Sequence, residues 1–114
     1  RDDMASAAAV KATRKSSKTA LFVLPDEPWA RRVSGVYSND LANAFPARAH
    51  AVLTERPDGT YLVSVRAPLE TKQGADVLCR QFPTGGGRAA AAGINALPSD
   101  QLDAFLDALT RAYD

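Results

Sequence analysis

Residues that carry chemistry are scarce in this sequence. It holds one cysteine, Cys79, and one histidine, His50, among 114 residues. A lone cysteine excludes an internal disulfide and suits a cytoplasmic protein. No grouping of His, Cys, Asp and Glu has metal-ligand spacing, and Asp26, Asp40, Asp58 and Asp76 are scattered. Ser34 and Ser64 have no recognisable base partner. Cys79, beside Leu78, reads as core, and His50 as a strand-end histidine partly in solvent. A hydrolytic centre made from this chain alone is therefore not expected. The longest apolar run, Thr19 to Pro25, falls far below the ~20 residues of a membrane span. The polar start Arg1-Asp2-Asp3 is no secretory leader. A formal net charge of +1 lacks the basic excess that captures long nucleic acid. Phosphate, if bound, is expected at a small local site. The chain opens on Arg1 rather than Met and is read as a piece of a longer protein.

Apolar residues make up 46% and charged residues 24%, an ordinary globular balance for one core. Residues 2–15, rich in alanine, acidic at the start and basic at the end, read as a helix. With Ser16-Ser17-Lys18 they form an expected interdomain connector over 1–18, ahead of a domain over 19–114. Thr19 to Leu24 reads as a strand buried on both faces. Val33, Val36, Tyr37, Leu41, Ala44 and Phe45 recur at helical spacing over Trp29 to Phe45, and Pro46 ends that helix. Ala49–Glu55 and Thr60–Ala67 flank Pro57-Asp58-Gly59 as a hairpin. A short helix over Gly74 to Phe82, a glycine loop, a strand over Ala91 to Leu97 and a helix with Ser99 as N-cap complete the order. The fold expected is α/β: a mixed sheet of about four strands with helices on both faces, plus the N-terminal connector helix.

The main positive signal is Gly85-Gly86-Gly87-Arg88 followed by four alanines and Gly93. Three successive glycines are entropically costly, and are kept where the backbone takes unusual angles or approaches another group closely. Successive main-chain amides in such a loop can form an anion nest, and Arg88 can grip phosphate through two parallel hydrogen bonds. A tight packing turn with a solvated Arg88 accounts for the same residues. Arg66 ends the strand Val63-Ser64-Val65-Arg66; under a helix it needs a partner, at the rim it reaches water. In Arg32-Val33-Ser34-Gly35 a helical glycine marks close approach, whether to a ligand or to the sheet. The Walker loop is absent. A dinucleotide fingerprint over Gly85, Gly87 and Ala90 fails because a helix precedes it.

In this order, Arg32-Val33-Ser34-Gly35, Val63-Ser64-Val65-Arg66 and Gly85-Gly86-Gly87 with Ala92-Gly93 resemble the DHH-associated domain. That domain is the C-terminal half of DHH-family phosphoesterases: RecJ-like exonucleases, oligoribonucleases, cyclic-dinucleotide phosphodiesterases and exopolyphosphatase-like proteins. The resemblance covers about residues 19 to 112. It implies a substrate-binding domain, inactive alone, that belongs with an N-terminal catalytic domain holding manganese-type divalent metal. It implies no cofactor in this chain. The implied ligands are short nucleic acid, nucleotide or polyphosphate, contacted by Gly85, Gly86, Gly87, Arg88, Arg66, Ser34 and Gly35. Where the family has His after the glycines, this chain has Arg88, which is always charged and cannot shuttle protons. The alternative is a structural or dimerisation module, with a second copy as partner and the glycines as a packing turn.

Overall fold

The computed structural model describes residues 3–8 and 10–114. In chain order the elements are α1 (Asp3–Ala8), β1 (Arg14–Lys15), β2 (Thr19–Leu24), α2 (Pro28–Ala44), β3 (Ala49–Glu55), β4 (Thr60–Arg66), α3 (Ala75–Cys79), β5 (Gly85–Gly87), β6 (Ala91–Pro98) and α4 (Leu102–Tyr113). The strands form one sheet in the order β1-β2-β3-β4-β6-β5. Only β2 and β3 run parallel, joined across one face by α2; the other neighbours are antiparallel. The fold is thus mixed α/β, with six strands where the sequence led us to expect about four.

The strand residues alternate between two cores, as a pleated chain must. Leu21, Leu53, Val63, Val65 and Ile94 meet Leu78, Cys79, Phe105 and Leu109 of α3 and α4. Phe22, Leu24 and Val52 meet Trp29, Val33 and Tyr37 of α2 on the other face. The α2 helix begins on Pro28, whose ring suits the first turn, and stops short of Pro46. In the hairpin turn, Asp58 accepts bonds from the Thr60 amide (3.0 Å) and hydroxyl (2.7 Å), and Gly59 takes φ +85.

Several elements differ from the sequence reading. The helix expected over 2–15 is one short segment, Asp3–Ala8, while Arg14–Lys15 pair with β2 as an edge strand. Residues 2 and 9 of that expected helix, and residue 1 of the connector, lie outside the described residues. Alanine propensity alone is too weak to hold a helix across these positions once β2 offers a free edge. The α1 residue Met4 packs onto the α2 core, and Arg32 pairs with Asp3 at 2.7 Å. Ser99 does not cap α4; it opens a 3₁₀ turn, Ser99–Gln101, that leads into the helix. The glycine loop is strand β5, because its backbone completes the ladder of β6.

Candidate functional site

Across the α2 face of the sheet, register aligns Phe22, Val52, Ser64, Gly93 and Gly86 in one row. The next row carries Ala20, His50, Arg66 and Ala91. The Arg88 amide bonds to the Ala91 carbonyl at 2.9 Å, so Arg66 and Arg88 flank Ala91. Helix α2 packs on β3 and β4, while α3 lies under β5 and β6 from the opposite side. Beyond α2 the row ends on bare backbone at Gly93 and Gly86. The result is a shallow shelf walled by α2 and floored by glycine. Other depressions lie elsewhere, one beside Pro68, Gln73 and Tyr113, another between Lys15, Tyr37 and Phe45.

The four glycines of this region have different surroundings. A Cβ on Gly85 would sit 1.8 Å from the Cys79 carbonyl oxygen, on the α3 side. A Cβ on Gly93 would lie 2.6 Å from the Val63 carbonyl oxygen. Gly87 takes φ +137, and a Cβ there would meet Ala92. At Gly86 nothing lies within 4 Å and φ is ordinary, so the protein itself imposes no need for glycine there. The expectation of a nest of bare amides is corrected accordingly. The Gly85 amide already bonds the Phe82 carbonyl at 3.1 Å, and that of Arg88 is taken by Ala91. Gly85 is turned away from the shelf, and Gly86 is the glycine of the triplet left open on it.

Arg66 is half-buried at the foot of α2. Its Nε donates to Asn39 Oδ1 (2.9 Å) and one terminal nitrogen to Ser64 Oγ (2.8 Å). Burial, and then the charge of Arg88, lower its pKa, so the two guanidinium groups feel each other. Among the described residues the ion pairs of arginine are Arg31–Asp26, Arg32–Asp3 and Arg80–Asp76; none involves Arg66 or Arg88. Arg88 is exposed.

On α2, Ser34 is half-buried and its carbonyl accepts the Ser38 hydroxyl at 2.7 Å. Ser38 also lies 3.4 Å from Ser64. Gly35 is exposed with nothing within 4 Å of an added Cβ, so of the two readings of this glycine the close approach to the sheet is not made. It shares a helical stripe with Asn39, four residues on. Asn39 and Ser38 escaped the sequence reading. Their signal was a polar stripe, Ser34, Ser38 and Asn39, on the side of α2 that faces Arg66.

His50 is not partly in solvent: it is 1% exposed, roofed by Phe45 with ring centroids 6.2 Å apart. Burial first, and the Arg48 charge second, push its pKa down to about 4. Cys79 is buried, and burial raises its thiol to about 12, which makes it a poor nucleophile. We expect it to resist alkylation by iodoacetamide at pH 8 in the folded protein and to react only on unfolding; rapid native labelling, read by mass spectrometry, would contradict this burial. Among the described residues no three of His, Cys, Asp and Glu gather as a metal site. No described helix is long and apolar enough to cross a membrane.

Two solved structures share the fold. An exopolyphosphatase-related protein from Bacteroides fragilis is 19% identical with a TM-score of 0.61, over 96% of this chain and 33% of its own. A DHH domain described as a member of the s1p family of ribosomal proteins is 17% identical with a TM-score of 0.51, over 92% of this chain and 28% of its own. The chain thus spans about a third of the length of these structures. No curated protein matches it by sequence. The DHHA1 domain model matches residues 5–113, nearly the whole sequence. With the helix-walled sheet and the glycine row built by that same stretch, the chain belongs to the DHHA1 domain family.

Proposed function

We propose that this domain holds the phosphate of a short nucleic acid, nucleotide or polyphosphate on the glycine shelf and does not itself cut it. The observation that carries the reading is the pairing of two guanidinium groups lacking carboxylate partners among the described residues with open space above Gly86. Placing Arg66 half-buried beside a second cation costs free energy that an anion would offset. Arg88 offers a forked donor suited to phosphate oxygens, and Arg66 adds the terminal nitrogen that Asn39 and Ser64 leave free. Hydrolysis in this reading belongs to a metal-bearing DHH domain acting with this one. The residues described here do not fit a metal, so divalent ions are assigned to that partner domain. The exopolyphosphatase-related neighbour agrees with a phosphate chain as one ligand, and the setting proposed is the cytoplasm.

Binding of a 5′-phosphorylated dinucleotide, measured by calorimetry, tests this. Loss of a charged hydrogen-bonding partner is worth about 1.5–3 kcal/mol, so Arg66→Ala and Arg88→Ala should each weaken binding about tenfold or more. Equal affinity in all three proteins removes the site. A second reading has support of its own: at Gly85, Gly87 and Gly93 glycine is required by neighbouring atoms or by φ, as a packing module would need. It expects a concentration-dependent dimer in sedimentation and no affinity for phosphate.

A further inference from the structure

We infer that the shelf selects a dianionic phosphate end group over the singly charged phosphodiester of a chain interior. The inference rests on the phosphate-binding reading above and narrows it. Arg66 is fixed by neutral acceptors alone: Asn39 Oδ1 at 2.9 Å, Ser64 Oγ at 2.8 Å and, more loosely, the Val65 carbonyl at 3.4 Å. These bonds aim the guanidinium without cancelling its charge. Arg88 stands across Ala91 in the same row, exposed and with no acid partner among the described residues. The site therefore presents two positive charges to one small space, with the fork of Arg88 and the second terminal nitrogen of Arg66 as donors.

A phosphodiester brings one negative charge and two free oxygens. A phosphate monoester brings a charge near −2 at neutral pH and three free oxygens. The second charge matches Arg88 as well as Arg66, and the third oxygen lets the Arg88 fork and the free terminal nitrogen of Arg66 bond at once. With the neutral imidazole of a histidine in place of Arg88, that second charge would have no counterpart. The floor allows the approach: above Gly86 the first 4 Å are empty, and Gly93 beside it adds no side chain. A chain interior would also have to leave in two directions, and α2 walls one side of the shelf.

Four probes separate end-group recognition from total charge: a dinucleotide with a 5′-phosphate, one with a 3′-phosphate, an unphosphorylated trinucleotide with two diesters, and inorganic tripolyphosphate. We expect at least one phosphorylated dinucleotide to bind about tenfold or more tightly than the trinucleotide. In Arg88→Gln the two affinities should come within about twofold of each other. Tripolyphosphate carries the same end group; if it equals the better dinucleotide the natural source is polyphosphate, and if weaker, a nucleotide end. Equal binding of the trinucleotide and both phosphorylated dinucleotides, or a preference that survives in Arg88→Gln, overturns the end-group inference alone. Binding of none of the four overturns the phosphate-binding reading as well. Arg88 is exposed, so the variant is expected to fold; a far-ultraviolet circular dichroism spectrum checks it.

Discussion

Gly85→Ala should destabilise the domain by about 3 kcal/mol or more, while Gly86→Ala, one residue on, should cost it nothing. The new methyl at Gly85 would sit 1.8 Å from the Cys79 carbonyl oxygen and 2.6 Å from its carbon. Those are backbone atoms at the end of α3, and Cys79 lies in the buried core with Leu78 and Phe82. No side-chain rotation relieves the clash, so either α3 or β5 must move. Phe82 packs edge-on against Phe105 at 5.7 Å, which ties such a shift to the α4 core. A loss of that size lowers the melting temperature by roughly 10 °C or more in a domain of this length. At Gly86 an added methyl meets nothing and φ is unstrained, so alanine should be neutral or stabilise by about 0.4–1 kcal/mol through the unfolded chain. The same methyl protrudes into the space proposed for phosphate, and affinity for tripolyphosphate should fall. The two variants thus separate packing from binding within one triplet. Thermal melts of both, with a binding titration of Gly86→Ala, check it; equal destabilisation by the two, or undiminished affinity in Gly86→Ala, would defeat the assignment.

The elements set by hydrophobic period were legible in the sequence. Thr19–Leu24 and Ala49–Glu55 have the bounds their patterns indicate, and α2 differs by one residue at each end. Each is long enough for its pattern to override other preferences. The two strands that escaped are β1 and β5, of two and three residues. Neither has a side-chain pattern, since each exists because a neighbouring strand offers a free edge. His50 was misplaced for a related reason. Its strand end is covered by Phe45, just past the C-terminal end of α2, a contact that no spacing in the sequence announces. At the candidate site, the glycines and both arginines stood out by residue type. Their arrangement did not, because it depends on sheet register: Gly86 reaches the open face only through Gly93, and Arg66 meets Arg88 only across Ala91. The polar stripe on α2 was visible as spacing, but it gained meaning only once Arg66 was known to lie beneath it.

Acid should weaken the fold well before the carboxylates titrate, and His50 should be the cause. Its ring is 1% exposed and neither nitrogen has a hydrogen-bond partner among the described residues. Burial and the neighbouring Arg48 charge disfavour the imidazolium; the Arg48 carbonyl favours it slightly, though outside hydrogen-bond geometry. The balance lowers the pKa from 6.5 to about 4. The unfolded chain then binds a proton near pH 6.5 that the folded chain refuses until about pH 4. Stability from this group is complete above pH 6.5 and is lost as pH falls towards 4, by about 2 kcal/mol at pH 5 and about 3 kcal/mol in full. The acids held low in the folded state, Asp58 by its Thr60 bonds and Asp76 by its Val77 amide and Arg80 bonds, have the same sign but act only below their ordinary value of 3.8. The window between pH 6.5 and 4.5 therefore isolates the histidine. His50→Leu keeps an apolar group of similar bulk and breaks no hydrogen bond, so at pH 7 it should be close to neutral. Its urea midpoint should stay nearly flat from pH 7 to pH 5, where that of the parent chain falls. An equal fall in both proteins would mean that the acid sensitivity arises elsewhere and that the buried imidazole is not refusing its proton.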